Sequence, residues 1–289
     1  MGRIASRMVL VGLLVLAQAG CMEMGRRAQV GDVFVIALEN HNLIQPASMK
    51  ERRQILGNPA APFMNSLITP GDPNARQISW AAAYYNAGVN VHPSESNYVW
   101  AEAGTDFGIH TDADPDDAAG NTGFNQADHL TAQMDAAGIP WKNYQEDIEF
   151  SVSPLVSAVG RRTTPNAFNG SPQFAYAVKH NPMAFFADTS TRNVYPLSQL
   201  FIDLDRDAVG RYNWITPNLL NDAHSPPLGG FTYHGVHYTG DQAALAAADN
   251  FLSQVVPRIM ASKAYRRNGV IILWCDETEG GDNPVMPGW

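Results

Sequence analysis

The sequence has few charged residues for its length, and acidic ones outnumber basic ones. Charged residues make up 16% of the 289 residues, and 19 Lys and Arg stand against 28 Asp and Glu, a formal net charge of −9. There is no basic run or patch, which argues against a nucleic-acid-binding protein, because Lys and Arg supply most contacts to a phosphate backbone. With apolar residues at 45%, the composition is that of a globular chain and not of a disordered one.

Cysteine is also scarce, since Cys21 and Cys275 are the only two. Cys275 lies inside an apolar run near the C-terminus, and Cys21 follows the N-terminal apolar run. If Cys21 is acylated or removed, no disulfide can form, so the fold must be held together by its core. The length suits one large α/β domain with a substantial core.

The one long apolar run is N-terminal, where two arginines precede MVLVGLLVLA. It is too short to span a membrane and ends in small residues, so residues 1–20 are predicted to be a bacterial export signal. Two endings remain open. AQA (17–19) fits ordinary signal cleavage, and AGC (19–21) fits a lipoprotein signal with an acylated Cys21, which we prefer. The mature protein is therefore expected in the periplasm, attached to a membrane through Cys21, or secreted.

After the signal, short apolar runs alternate with stretches of helical periodicity. This alternation indicates an α/β fold with a largely parallel sheet covered on both faces. Polar segments at 104–125 and 160–173 are predicted to run over the surface. We predict strands at 33–39, 78–85, 211–217 and 268–276 and helices at 61–69, 94–103, 126–138 and 241–263, with Pro257 kinking or restarting the last helix.

The acidic stretch DADPDDAAGN (112–121) is similar in composition to a calcium-binding loop. It has Asp117 where such a loop needs Gly, and Gly123 where it needs a bidentate acid. We therefore predict a solvated loop without a metal there.

Two predicted strands end on side chains that carry oxygen ligands. VFVIAL runs into Glu39 and Asn40, and VIILWC runs into Asp276 and Glu277. Ligands of an open parallel sheet bind beyond the carboxyl ends of its strands, so these donors would meet if the strands are neighbours. Three carboxylates gathered without a cation would repel one another and become protonated. The pattern of both pairs together indicates a metal site, although either pair alone is more typical of a strand that reaches solvent.

A pair of serines stands at the start of a predicted helix, in HPSESNYVWAEAG (92–104). Ser94 or Ser96 can cap this helix, because serine is a favoured N-cap residue. A hydroxyl there also faces unpaired N–H groups and the positive end of the helix dipole, where a phosphoryl group can be held. A serine beside a metal in that position is a candidate nucleophile.

Two histidines lie in polar loops after apolar runs. His180 belongs to AVKHNPMAFF, and His224 belongs to ITPNLLNDAHS, which also holds Asn218 and Asp222. A single histidine is more often a structural hydrogen-bonding group than a catalyst, so these residues alone do not assign a role.

Six motifs occur in order along the chain: ENHN, HPSESNY, WKNYQED (141–147), KHNP, ITPNLLNDAH and WCDETEGGDN. Together they resemble the bacterial and fungal phosphoesterase family that contains acid phosphatases and phospholipase C enzymes, within the alkaline-phosphatase-like superfamily. The resemblance covers about residues 33–283. It implies a three-layer α/β sandwich with a mostly parallel central sheet, and a single catalytic domain at 30–289.

The resemblance also implies one divalent metal ion. Oxygen ligands favour Mg²⁺, Ca²⁺ or Mn²⁺, and carboxylate sites also take Zn²⁺. The implied metal-binding residues are Glu39, Asn40, Ser94, Asp276 and Glu277.

In the family, the nucleophile stands three residues before the helix-starting Asn-Tyr, which selects Ser94 over Ser96. Members more often have Pro where this chain has Ser96. His180 and His224 match histidines near the phosphate, and either is a candidate proton donor to the leaving alcohol. His92 could orient Ser94 or merely pack beside it. The residues expected to contact the substrate are Asn40, His92, Asn97, His180 and His224.

Family members continue beyond the DE…GGDN segment with another strand, a loop bearing His and Ser, and a helix. This sequence stops at Trp289. We therefore expect that the chain is a fragment or that the sheet lacks its C-terminal edge, and the missing part could contribute to the active site.

The predicted function is that of an exported, metal-dependent, acid-phosphatase-like phosphoesterase that hydrolyses small phosphomonoesters through a phosphoserine. A phospholipase C-type phosphodiesterase is the alternative within enzymes. In another class, the chain could be a non-catalytic envelope lipoprotein that keeps the fold. No nucleic-acid partner is expected, and the sequence does not indicate an oligomeric state.

Overall fold

A central sheet of five parallel strands, with helices on both faces, organises the protein. The structure is a computed structural model that describes residues 29–44, 54–81, 91–115 and 128–277. The predicted signal at 1–20 and Cys21 lie outside the described residues. The strands are β1 (Val33–Leu38), β2 (Trp141–Gln145), β3 (Ala158–Arg161), β4 (Gln173–Tyr176), β5 (Val194–Pro196), β6 (Tyr212–Thr216), β7 (Phe231–Tyr233), β8 (Val236–Tyr238) and β9 (Val270–Cys275).

The central sheet has the order β5-β2-β6-β1-β9, and all four strand pairs are parallel. Strands β3 and β4, and likewise β7 and β8, form small antiparallel pairs outside it. The order of the central sheet is not the order of the chain, so helical crossovers connect its parallel strands. The α-helices are α1 (Pro62–Ile68), α2 (Ser94–Ala103), α3 (Leu130–Ala136), α4 (Leu197–Arg206), α5 (Asp241–Ala261) and α6 (Lys263–Arg266).

The side chains of β1 show why the fold has three layers. Phe34, Ile36 and Leu38 point to one face of the sheet and join a core that includes residues of α4 and α5. Val35 and Ala37 point to the other face and belong to a second core, with Tyr98 of α2. Successive strand residues face opposite sides, so an apolar run without alternation requires cover on both faces. The predicted three-layer α/β class is confirmed.

The predicted pairing of the first and last strands is also confirmed. β1 and β9 are parallel neighbours in register from Val33 opposite Val270 to Leu38 opposite Cys275. β6 lies on the other side of β1, with Ile36 opposite Ile215. The carboxyl ends of these three strands therefore open at one edge of the sheet.

Other strand predictions were wrong or incomplete. Residues 78–81 of the predicted strand 78–85 are not a strand, and 82–90 lie outside the described residues. β2 (WKNYQ) was not predicted because it is polar. Its Asn143 and Gln145 are nevertheless buried. Both side chains find partners there: Asn143 Nδ2 donates to Asn181 Oδ1 at 2.6 Å, and Gln145 Nε2 donates to Thr216 Oγ1 at 3.0 Å. Hydrogen bonds let a polar strand lie inside the sheet.

The predicted restart at Pro257 and the predicted start of helix 126–138 need correction. α5 runs through Pro257 without restarting, and Pro257 lies near its end on an exposed side. Water can solvate the carbonyl group that a proline leaves unpaired there. The predicted helix 126–138 begins at Leu130 within the described residues, and α4 was not predicted at all.

The segment predicted to run over the surface at 104–125 is partly internal. Ile109 is buried in a core with Val99 and Tyr176, and its carbonyl oxygen accepts a hydrogen bond from Ser96 Oγ at 2.5 Å. A buried side chain and a satisfied carbonyl thus anchor the described part of this segment.

No helix among the described residues has both the length and the apolar character to cross a membrane.

A buried histidine links α2 to α3. His129 Nδ1 lies 2.8 Å from Glu102 Oε1 of α2, and its Nε2 lies 2.9 Å from Asp188 Oδ1. Glu102 Oε1 also accepts the backbone N–H of Thr131 at 2.7 Å. Burial alone would lower the pKa of His129, but the hydrogen bonds to Glu102 and Asp188 outweigh it and the pKa is raised.

This arrangement predicts a pH-dependent contribution to stability. A histidine whose pKa is raised on folding stabilises the protein below its unfolded value near 6.5, and this stabilisation is lost as pH rises through the folded pKa. We expect His129→Gln to lower the free energy of unfolding by about 2 kcal/mol at pH 5.5 and by much less at pH 9. Urea unfolding of parent and variant at both pH values measures this difference. If the difference in free energy of unfolding between parent and variant were the same at both pH values, His129 would not be charged in the folded protein.

Candidate active site

The polar pairs that follow β1 and β9 meet at the carboxyl edge of the sheet. The Asp276 N–H donates to the Leu38 carbonyl oxygen at 3.1 Å, which continues the strand pairing to the end of β9. The Asn40 N–H donates to Asp276 Oδ1 at 3.3 Å. With its amide nitrogen turned toward the acids, Asn40 donates to Asp276 Oδ1 and Glu39 Oε2, both at 3.2 Å. Glu39, Asn40 and Asp276 are thus brought together, as the sequence predicted.

Ser94 joins this group from the start of α2. Its hydroxyl donates to Glu39 Oε2 at 3.0 Å, and the side chain is buried. Ser96, two residues later, points elsewhere and bonds to the Ile109 carbonyl oxygen. Of the two serines, only Ser94 has its hydroxyl on the acidic cluster.

Glu277 lies beside the same helix start but has other partners. Its Oε2 is 2.5 Å from His92 Nδ1 and accepts from Asn97 Nδ2 at 3.1 Å. Asn97 Nδ2 also donates to the Val91 carbonyl oxygen at 2.9 Å. Glu277 therefore connects the end of β9 to the start of α2, and His92 contacts Glu277.

His180 lies between two carboxyl groups. Its Nε2 is 3.1 Å from Glu39 Oε1, and its Nδ1 is 3.2 Å from Asp222 Oδ2. The ring stacks on Tyr98 of α2, with centroids 4.8 Å apart. Burial lowers the pKa of His180 well below its usual value, and the nearby Lys179 and His224 lower it further. The Glu39 and Asp222 carboxyls would raise the pKa of His180 only if they were ionised. While they are protonated, the His180 ring is therefore neutral.

His224 approaches from the loop after β6. Its ring centroid is 5.9 Å from that of His180. The His224 N–H donates to Asp222 Oδ1 at 2.8 Å, and its Nδ1 is 2.9 Å from Ser225 Oγ. The structure thus places both predicted histidines around Asp222.

The three central carboxyl groups resist ionisation in the protein alone. Burial is the largest cause for each, and it raises the pKa of Glu39 and Asp222 well above their usual values and that of Asp276 to about 8. Repulsion adds to it, since Asp276 raises the pKa of both Glu39 and Asp222, and Glu277 raises that of Asp276. A bound cation would reverse this effect, because it favours the ionised form of each acid.

The donor set fits a cation. One oxygen of each acid is buried and accepts no hydrogen bond from the described residues: Glu39 Oε1, Asp222 Oδ2 and Asp276 Oδ2. The His180 nitrogens lie close to the first two but do not have the geometry of hydrogen bonds to them. Buried oxygens without donors are costly unless an ion or water satisfies them. Ligand atoms of Glu39, His180 and Asp222 all lie within 4.8 Å of one another, and hard divalent ions prefer such oxygen-rich sets.

The structure adds two residues that the sequence analysis did not place in the site. Asp222 was visible only as part of the NDAH motif. Lys179 precedes His180 in KHNP, and its charge acts on both Glu39 and Asp222. Lys179 Nζ pairs with Asp112 Oδ2 at 2.9 Å, and Asp112 Oδ1 accepts the Glu95 N–H at 3.2 Å. The described part of the predicted solvated loop is therefore bound to the site.

Comparison with known proteins relates this chain to phosphoesterases. A family model described as the Phosphoesterase family matches residues 71–288. The chain is 23% identical to a phosphatidylinositol-3-phosphatase of Mycobacterium tuberculosis over 86% of this chain and 66% of that protein. It is 28% identical to a probable acid phosphatase of Kluyveromyces lactis over 52% of this chain and 35% of the relative.

A phosphate-repressible acid phosphatase of Penicillium chrysogenum is 24% identical over 68% of this chain and 40% of its own length. The matches thus span about a third to two thirds of the length of these relatives. The family match itself covers most of the chain and includes both the helix that begins at Ser94 and the acidic pair after β9. The chain belongs to the phosphoesterase family.

Proposed function

We propose that this protein hydrolyses phosphomonoesters through a phosphoserine intermediate on Ser94. The observation that carries the proposal is the position of the Ser94 hydroxyl. It stands at the first residue of α2 and donates to Glu39 within a cluster of buried acids. A hydroxyl at a helix start and beside an acidic cluster places a nucleophile next to the positive end of a helix dipole and next to acids that would hold a cation.

A divalent cation belongs to this proposal. When bound, it would lower the pKa of the Ser94 hydroxyl and neutralise negative charge on the phosphoryl group. Mg²⁺, Ca²⁺, Mn²⁺ and Zn²⁺ all remain candidates. The residues that would hold the cation are Glu39, Asn40, Ser94 and Asp276, with Glu277, Asp222 and His180 beside them.

The first chemical step forms the bond between Ser94 Oγ and phosphorus and breaks the bond from phosphorus to the alcohol oxygen. The Ser94 proton has an acceptor at 3.0 Å in Glu39 Oε2. The departing alcohol takes a proton from His224, because burial lowers the pKa of His180, the other candidate, well below its usual value. In the second step, water attacks phosphorus from the side that the alcohol left and gives a proton to the histidine that protonated the alcohol. The bond from phosphorus to Ser94 Oγ breaks, and Ser94 Oγ takes back its proton from Glu39, which leaves phosphate and the free hydroxyl.

Charge on the phosphoryl oxygens needs donors that are already in place. The N-terminus of α2, which begins at Ser94, contributes the positive end of its helix dipole. Lys179 provides a positive charge close to Glu39 and Asp222, and Asn40 provides an amide beside them. Asn97 Nδ2 is held by the Val91 carbonyl oxygen and by Glu277, so we assign Asn97 to the geometry of the helix start. His92 is held against Glu277, so we assign it to orientation of the helix start and not to proton transfer.

Turnover of p-nitrophenyl phosphate tests the proposal. We expect activity that disappears after treatment with EDTA and returns with one or more divalent ions, because the acid cluster repels itself without a cation. The measurement is the hydrolysis rate in metal-free buffer after each divalent ion is added back separately. Turnover unchanged by EDTA would contradict the assigned metal dependence. A folded protein that binds metal but turns over no phosphate ester would support the non-catalytic lipoprotein.

A phosphodiesterase of the phospholipase C type is the competing activity. The relatives named above are phosphatases, which supports monoesters for this chain. We therefore expect p-nitrophenyl phosphate to exceed bis(p-nitrophenyl) phosphate by about 100-fold or more in kcat/KM, since a diester brings a second alcohol into the site. Equal rates, or preferred hydrolysis of phospholipid vesicles, would reverse this assignment.

Export is proposed on the N-terminal sequence alone. Fractionation of cells and labelling with a radioactive fatty acid would locate the protein, with Cys21→Ala as the control for lipidation. A parent protein without label would exclude the lipoprotein form, and label that remains on Cys21→Ala would exclude Cys21 as the acylated residue.

A further inference from the structure

The sequence motif WKNYQED has an acidic pair that no step of the proposed reaction uses. Glu146 and Asp147 follow β2 directly, at the same edge of the sheet as the active site. The Glu146 N–H donates to the Thr216 carbonyl oxygen of β6 at 3.0 Å. The acidic pair therefore lies beside the loop that leaves β6 and carries Asp222 and His224.

The buried Glu146 carboxyl group accepts four hydrogen bonds. Its Oε1 accepts from Asn166 Nδ2 at 2.7 Å and from Asn221 Nδ2 at 2.9 Å. Its Oε2 accepts the Asn218 N–H at 2.9 Å and is 3.0 Å from Asn221 Nδ2. Two of the three partner residues belong to the loop after β6, and each bond requires an acceptor at Glu146.

Asp147 holds the same loop from its other side. Its Oδ2 accepts from Asn218 Nδ2 at 2.5 Å, and its Oδ1 accepts from Arg162 Nη1 at 2.9 Å. Asn218 is thus fixed at both its backbone nitrogen and its side chain by two neighbouring acids.

The anchored residues lead directly to the catalytic group. The Asn218 carbonyl oxygen accepts the Asp222 N–H at 3.0 Å. The Asp222 carbonyl oxygen in turn accepts the Glu39 N–H at 2.8 Å, and Asp222 Oδ1 accepts the His224 N–H at 2.8 Å. A continuous set of hydrogen bonds therefore runs from Glu146 through the loop to His224 and Glu39.

We propose that Glu146 is a positioning residue for the phosphoryl-transfer site, which keeps His224 in place by holding Asn218 and Asn221 of the loop after β6. The inference rests on the proposed function, in which His224 donates a proton to the leaving alcohol. It does not make Glu146 a catalytic residue, because its carboxyl group is occupied by the loop and by Asn166.

Glu146→Gln is the most specific change. Glutamine has nearly the same shape, but one of its terminal groups is an NH₂ that would face a donor instead of accepting from it. The loop must then shift, and His224 with it. Asp249→Asn is the matched control: a buried acid on α5 that accepts the N–H groups of Met64 at 2.7 Å and Phe63 at 2.9 Å, away from the loop.

Leaving-group dependence separates positioning of a proton donor from general loss of structure. Glycerol phosphate has a poor leaving group that needs protonation, whereas p-nitrophenyl phosphate has one that hardly does. We expect Glu146→Gln to lower kcat/KM about 10-fold or more for glycerol phosphate and no more than about threefold for p-nitrophenyl phosphate. Asp249→Asn should change both substrates by the same small factor. Equal losses on both substrates for Glu146→Gln would overturn the inference.

A double variant gives the second kinetic readout. If Glu146 acts through His224, Glu146→Gln with His224→Gln should lose little more glycerol phosphate activity than His224→Gln alone. Losses that multiply would show that Glu146 acts independently of His224 and would refute the proposal.

Hydrogen exchange distinguishes a failure of this inference from a failure of the proposed function. Glu146→Gln should speed amide exchange at residues 219–225 at least about 10-fold, with Asp249→Asn unchanged there. If the parent protein hydrolyses no phosphate ester, the proposed function fails, and this exchange pattern still decides whether Glu146 holds the loop. Unchanged exchange in 219–225 would reject the positioning role whatever the activity.

Discussion

Ser94→Ala should reduce turnover of p-nitrophenyl phosphate by about 10³-fold or more, because it removes the atom that forms the covalent bond to phosphorus. The metal and the substrate phosphate should still bind, since alanine leaves Glu39, Asp276 and the N-terminus of α2 in place. Steady-state rates measure the loss, and calorimetric titration with metal and with inorganic phosphate measures the retained binding.

Ser96→Ala is the matched control, two residues along the same helix. It loses the buried hydrogen bond to the Ile109 carbonyl oxygen and should cost about 1–2 kcal/mol of stability. We expect its kcat to stay within about threefold of the parent at a temperature where both are folded. If instead Ser96→Ala were inactive and Ser94→Ala active, the assignment of the nucleophile would be wrong.

Asp276→Asn should have the largest effect on metal binding. It removes one of the three buried carboxyls that meet at the site, and loss of a single charged ligand should weaken the divalent ion by about 100-fold or more. The variant should be inactive at metal concentrations that saturate the parent. Thermal melts with and without metal provide the measurement, because an ion that binds only the folded protein raises its melting temperature.

Without metal, Asp276→Asn should be more stable than the parent at alkaline pH. The pKa of Asp276 is raised to about 8 by burial and by Glu277. The folded state then holds a proton that the unfolded state has released between about pH 4 and pH 8, so the stability of the parent falls as pH rises through that window. Asparagine does not titrate, and metal-free Asp276→Asn should therefore exceed the parent by roughly 2–5 kcal/mol at pH 8.5. Equal metal-induced stabilisation in the two proteins would show that Asp276 is not a ligand.

Much of the fold was predictable because its central strands are apolar on both faces. β1 and β9 have no alternation of polar residues, which is typical of a parallel sheet covered by helices. β2 was missed because Asn143 and Gln145 satisfy their amides only through residues distant in sequence, Asn181 and Thr216. No local pattern reports such partners.

The site was predictable to a similar extent and for related reasons. Glu39, Asn40 and Asp276 follow strands that could be recognised, so their meeting followed from a parallel pairing of β1 with β9. Asp222 lies in a loop whose path is set by hydrogen bonds that Asn218 and Asn221 donate to the acidic pair after β2. Its approach to His180 depends on three-dimensional contacts that the order of residues in a motif does not express.

The central claim is that the phosphoryl group passes through Ser94, and one experiment tests it directly. The enzyme is mixed with a phosphomonoester and its metal, quenched in acid during turnover, digested, and analysed by mass spectrometry. Acid denaturation preserves a phosphoserine that forms before water attacks. The account predicts phosphate on the peptide that begins the α2 helix, at Ser94 and absent in Ser94→Ala. Turnover without any phosphorylated protein at every quench time, or phosphate found on Ser96, would contradict it.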